Sequence, residues 1–254
     1  MSIEKGYLIE RPEESPEYIS AFKITGKYLQ NMFNKYNQVS IIQKDDFTWL
    51  RAQIISPTFD SMNFRYKNQV FSVLLDLVDI IDDKIVSYFS NKAKKLQIEI
   101  CQKNNLIPCI FNVKIRNLQP ATGGWNLINT ISNKKINPLE FASDDLIPIS
   151  DWELSNWGIM IVMNDLEKKG EKILSFTDVP DISPNIWFED KNGNKNWIHV
   201  SVNGKLPKPN YLKNTITRYY KGYTANVSIL PINDDKVIYR AQPAEILYTG
   251  LENF

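Results

Sequence analysis

Behind Ser15-Pro16, apolar side chains recur at helical spacing: Tyr18, Ile19, Phe22, Leu29, Met32, Phe33 and Tyr36. The Ser-Pro pair supplies an N-cap and a first turn, so the pattern predicts an amphipathic helix over about 16–36, weakest at Gly26. From Val39 to Ile55 the pattern reads as two short strands about the polar turn Lys44-Asp45-Asp46. MNFRYKNQVFSVLLDLVDII then reads as a hairpin turning at Lys67-Asn68. Its second strand is nearly all apolar, which predicts burial on both faces. A helix from about Asn91 to Lys103 and a strand, LIPCIFNVKI, follow.

Residues 117–149 break this rhythm. QPATGG, SNKKINP and SDDLIP are turn-rich, and Trp125, Leu127, Ile131 and Leu139 are what the segment has to bury. It reads as a connecting region that wraps one half against the other. Ser150-Asp151-Trp152-Glu153 is a capping box, with Glu153 reaching back to the Ser150 amide. The helix it opens carries Leu154, Trp157, Ile161, Val162 and Leu166 as an inward stripe and stops at Gly170. Three strands (KILSF, NIWFED, NWIHVSV), a helix opened by Pro209 and a strand, YTANVSIL, come next. The tail VIYRAQPAEILYTGLENF adds a short helix or an edge segment.

The first half runs in a similar order, with FRYKNQVFSVLL answering IWFEDKNGNKNWIHVSV. The expected class is therefore α/β (α+β): mixed sheets flanked by helices, with an internal duplication. The expected organisation is an N-terminal half over 1–116, the connecting region 117–149, and a C-terminal half over 150–254.

Composition narrows the function. The chain has 254 residues, 43% hydrophobic and 23% charged, enough to bury a core without disulfides or metal. Its net charge of +1 gives no support to a dedicated duplex-DNA binder, which usually carries a basic excess. With one histidine and two cysteines, Cys101 and Cys109, no Cys/His zinc site of the usual spacing can be assembled. Both cysteines sit in apolar surroundings and read as buried free thiols. No apolar run reaches the roughly 18 residues of a membrane span, and the start lacks a signal-peptide core, so the expected location is cytoplasmic, with no membrane partner.

The chain's one histidine, His199, lies in SPNIWFEDKNGNKNWIHVSV, which spans 183–202 and turns near Asn192-Gly193. The order helix–strand–hairpin–helix–strand over 150–230 resembles the core of the restriction-endonuclease-like, or PD-(D/E)XK, superfamily. That resemblance implies an Asp after Pro on the middle strand and a Glu/Asp-x-Lys on the next, holding Mg²⁺ for phosphodiester hydrolysis. Here Pro184-Asn185 stands at the first position and His199-Val200-Ser201 at the second. Asn185 offers a neutral oxygen, His199 is a poor Mg²⁺ ligand beside a carboxylate, and Ser201 brings no cation. The implied nuclease site is lost or altered. In the first half Asp60 and Asp76 stand near matching strand ends, but no lysine lies two positions beyond either acid.

Each candidate has a plain structural alternative. His199 reads as a hydrogen-bonded strand residue or as a site residue. Glu153, Asp181 and Glu189 read as a rescued metal site, or as a cap and solvated turn acids. Lys191, Lys195, Lys205, Lys208, Lys213, Arg218 and Lys221 form the nucleic-acid candidate cluster, interrupted by Glu189 and Asp190; a charge run is usually a solvated face. The six tryptophans invite base stacking, but helical and cross-strand spacing makes most of them core. The expectation is thus a non-catalytic binding module for an unidentified protein partner, without cofactor or metal. The alternatives are a divergent nuclease using Mg²⁺ and a nucleic-acid binder that has lost cleavage.

Overall fold

The computed structural model describes residues 16–39, 46–52, 61–82, 84–87, 91–178, 182–204 and 219–254. They divide into two compact units, one ending at Asp144 and the other running from Asp145 to Phe254. Both are mixed α+β structures. No helix among the described residues is long and apolar enough to cross a membrane.

The N-terminal unit begins with helix α1 (Pro16–Gln38), whose Tyr18, Phe22, Leu29 and Phe33 are buried. Strands β1 (Phe47–Arg51), β2 (Ser61–Tyr66), β3 (Gln69–Ile81) and β4 (Lys84–Ser87) follow, then helix α2 (Asn91–Asn104). Strands β5 (Ile107–Lys114), β6 (Leu127–Asn129) and β7 (Lys135–Ile136) complete it. The sheet order is β1-β2-β3-β5-β6-β7, with β4 also paired to β3. Only β3 and β5 are parallel, and a parallel pair needs a crossover, which here contains α2. Phe33 anchors the core, stacked on Phe47 at 3.7 Å and lying against Phe64 and Trp125.

The turn at Lys67-Asn68 forms as expected, with Lys67 at φ 48. Of the two strands expected over Val39–Ile55, the second is β1; residues 40–45 and 53–60 lie outside the described residues. Residues 117–144 belong to the N-terminal unit. They add β6 and β7 to its sheet and Trp125, Leu127 and Ile136 to its core. Ile131 is exposed rather than buried, because it sits in the tight turn between those short strands.

The C-terminal unit opens with α3 (Asp151–Lys168). Strands β8 (Lys172–Phe176), β9 (Ile186–Glu189), β10 (Lys195–Val202), β11 (Lys221–Pro231) and β12 (Ala244–Asn253) form a sheet in the order β12-β11-β10-β9-β8. Every neighbouring pair is antiparallel except β10 and β11. The helix expected from Pro209 falls in 205–218, outside the described residues. The tail forms an edge strand and not a helix.

The two units therefore repeat one plan: a helix, three antiparallel strands, a crossover, a parallel fourth strand and an antiparallel fifth. The inward face of α3 differs from the expected stripe. Trp152, Asn156, Ile159, Val162, Met163 and Leu166 are buried, while Leu154, Trp157 and Ile161 are half-buried. A search for apolar spacing passes over Asn156, buried because its amide donates to Asp178 at 3.2 Å. It also passes over Gly158, where an added Cβ would lie 2.4 Å from Val202 Cγ2.

Candidate functional site

Strand β10 alternates sides. Ile198, Val200 and Val202 share the face on which Val202 meets Gly158 of α3, so Trp197, His199 and Ser201 point to the opposite face. Gly222 on β11 lies beside Trp197, and a Cβ there would fall 2.1 Å from the indole Cζ2. Glycine is required at that contact. Trp187 and Trp197 are register partners across the hairpin, as the spacing suggested.

Asn185, at the position the resemblance gives to a metal-binding aspartate, is buried and fully engaged. Its side-chain oxygen accepts from Val200 N at 2.8 Å, and its amide nitrogen donates to Ile182 O at 3.1 Å. Its backbone bonds to Ile198 O and Thr177 N, on β10 and just beyond β8. The side chain thus continues the pairing where the strand ends. A carboxylate could accept from Val200 but could not donate to Ile182.

His199 is 1% exposed. Its Nδ1 lies 2.5 Å from the Ser183 hydroxyl, and its Nε2 has no hydrogen-bond partner among the described residues. Burial pushes its pKa below the ordinary histidine value, so the ring is neutral near pH 7. Ser201 is buried beside it on the same face. At the hairpin tip, Asp190 accepts from the backbone of Asn192 and Asn194, and the Asn194 side chain and backbone hold its carboxyl below the usual range. Gly193 takes φ 80 to close the turn. Glu189 sits 3.7 Å from Lys172, and Lys191 and Lys195 are exposed. Asp60, Asp181, Lys205, Lys208, Lys213 and Arg218 lie outside the described residues.

Glu153 is not available to a metal. It completes the capping box, accepting from Ser150 N at 3.0 Å, and its two oxygens take Arg240 Nε and Nη2 at 2.8 and 2.7 Å. Both partners are buried, and a bidentate guanidinium satisfies the carboxylate from which a cation would need to displace it. The capping role was legible in the sequence. Arg240 was not, because it lies 87 residues away and no local pattern marks it.

The N-terminal unit holds the other buried acid of interest. Asp76 on β3 accepts from Ser87 Oγ at 2.6 Å and lies 3.5 Å from Lys94 Nζ. The lysine missing from its own strand comes instead from α2. The signal was its place one turn ahead of the inward Gln97, which donates to Ser72 O and Cys109 O. Cys101 and Cys109 are buried free thiols; burial pushes Cys101 up to about 11 and Cys109 well above the ordinary thiol value. No group of three or more His, Cys, Asp or Glu able to hold a metal ion occurs among the described residues. All six tryptophans are buried or half-buried, so stacking on exposed indoles is not on offer.

Residues 152–254 match the model of a family described as Domain of unknown function (DUF8840). Comparison with curated proteins and with solved structures gave no match. The matched stretch runs from the start of α3 to the end of β12. The match falls within the C-terminal unit and spans positions 153 and 240.

Proposed function

We propose that this protein is a non-catalytic binding module for a protein partner, built on a nuclease-like fold whose site has been turned to structural use. The observation that carries the reading is Asn185. Its amide uses both a donor and an acceptor to hold the start of β9 against β10, which a metal-binding aspartate would not do. His199 and Ser201 are buried beside it, and burial keeps the imidazole neutral near pH 7. The strand plan common to both units supports the resemblance on which the reading rests. Ile81, Leu96 and Ile100 in the N-terminal unit and Leu247 in the C-terminal unit are exposed aliphatic side chains available to a partner.

The second reading, a divergent metal-dependent nuclease, is favoured by one observation: Asp76 and Lys94 bring an acid and an ammonium together in the N-terminal unit. Incubation of the full chain with single- and double-stranded DNA and Mg²⁺ or Mn²⁺ separates the two. The module reading expects no cleavage. Metal-dependent cleavage that Asp76→Asn abolishes would establish the nuclease instead.

A further inference from the structure

The sheets end differently. In the N-terminal unit the outer strands are β1, of five residues, β4, of four, and β7, of two. In the C-terminal unit one edge is β8, of five residues, and the other is β12, of ten. No strand among the described residues lies beyond β12. None of its residues is buried, and Ile246 and Leu247 are 42% and 50% exposed.

Natural sheets blunt such edges with lysine, proline or bulges, because unpaired backbone amides and carbonyls invite another strand. β12 contains neither lysine nor proline. Its one irregularity falls opposite Ala225–Val227, where Gly250 adopts φ 107, and Ala244–Tyr248 pairs regularly with Val227–Pro231. Among the described residues, no strand pairs with the outer side of Ala244–Tyr248.

Its charge selects the occupant. Glu245 and Glu252, opposite Leu230 and Thr224, share one face and are exposed. The loop before β12 adds exposed Asp234 and Asp235 against exposed Lys236, while Arg240 is buried on Glu153. Full-length antiparallel pairing of two copies about the Tyr248–Thr249 centre would set Glu245 against Glu252 at both ends, and like charges directly opposite destabilise a sheet. On the same face Leu247, opposite Ser228, is diagonal to the exposed Leu230; Ile246 is exposed on the other face.

We infer that the outer edge of β12 docks an extended basic segment of a partner protein, which adds a strand to the sheet. Main-chain hydrogen bonds to β12 supply the affinity, and Lys or Arg side chains opposite Glu245 and Glu252 set the register. This rests on the binding-module reading and names the chemistry of its partner.

The probe is a synthetic peptide of alternating lysine and valine, titrated against the full chain by fluorescence anisotropy. Two controls accompany it: the same sequence N-methylated at alternate amides, and a version with glutamate for lysine. The inference expects saturable binding of the first peptide, weaker by about tenfold or more for each control. It expects a similar loss in the Glu245→Lys/Glu252→Lys variant, which changes only exposed side chains. Equal binding of the methylated peptide would reduce the effect to charge and overturn the inference, as would no binding at all. A wild-type dimer in solution that excludes the peptide would overturn it in favour of a second copy. None of these failures touches the binding-module reading, which falls only to metal-dependent cleavage.

Discussion

β3 and β10 stand in the same place in their sheets, third in order and beside a parallel fourth strand, yet they carry opposite solutions to an interior polar position. β3 keeps an acid, Asp76, because Ser87 donates to it and α2 brings Lys94 within 3.5 Å. β10 keeps a neutral imidazole, His199, hydrogen-bonded to a serine and with no paired ion among the described residues. The C-terminal unit has a buried ion pair elsewhere, Glu153–Arg240, between the first turn of α3 and the segment before β12. One strand plan thus tolerates a buried charge wherever the chain supplies a counter-ion, and not at a fixed place in the sheet. What the two strands share is architecture, and what separates them is the source of the partner.

The largest effect should come from breaking the better-buried pair. Arg240→Ala leaves Glu153 charged and buried, and urea denaturation should show a loss of about 3–5 kcal/mol. Glu153→Gln combined with Arg240→Met, which removes both charges, should lose much less. Lys94→Met is the matching test in the N-terminal unit. Its side chain is a quarter exposed and Ser87 still donates to Asp76, so the loss should be about 1 kcal/mol or less. Equal losses from the two single variants would erase the distinction between the units.

Gly222→Ala should cost about 1–3 kcal/mol, because the new methyl would overlap the Trp197 ring and force it from its site. Gly26→Ala in α1 should do the reverse. Nothing lies within 4 Å of its added methyl, and a helix-interior glycine replaced by alanine gains about 0.5–1 kcal/mol. Thermal melts of the two variants should move in opposite directions.

A smaller effect follows from His199. The folded ring has a lowered pKa, so the unfolded chain binds a proton at a higher pH than the folded chain does. Its contribution is complete above the unfolded value of about 6.5 and declines as pH falls from there toward the folded value. His199→Gln keeps a donor and an acceptor but cannot titrate. The stability difference between wild type and variant should therefore shrink as pH drops from about 7 to about 5. A difference that stays constant, or widens, would mean that the ring is not held neutral by burial.

What the sequence revealed was mostly local. The Ser150–Glu153 capping box, the turns at Lys67-Asn68 and Asn192-Gly193, and the strands between them depend on neighbours a few residues apart. The buried face of α3 was legible only in part, because Asn156 faces inward on account of Asp178 and Gly158 on account of Val202. Arg240 and Lys94 were missed as partners for the same reason: their acids lie on other elements, and nothing in an apolar period records a distant counter-ion. Asn185 was singled out in the sequence only through the resemblance, as a departure from its motif. Its structural work could not be read, since it binds Val200, fifteen residues away across the hairpin.

The central claim is that Asn185, at the position the resemblance gives to a metal-binding aspartate, holds the fold together, and Asn185→Asp tests it most directly. The variant restores the residue that the resemblance implies, and its stability can be measured by urea denaturation with and without Mg²⁺. A structural Asn185 predicts a loss of about 1–3 kcal/mol, from the stranded Ile182 carbonyl and a buried carboxylate, and the same loss when Mg²⁺ is present. Unchanged stability, or a midpoint raised by Mg²⁺ through binding to the folded state, would contradict the account.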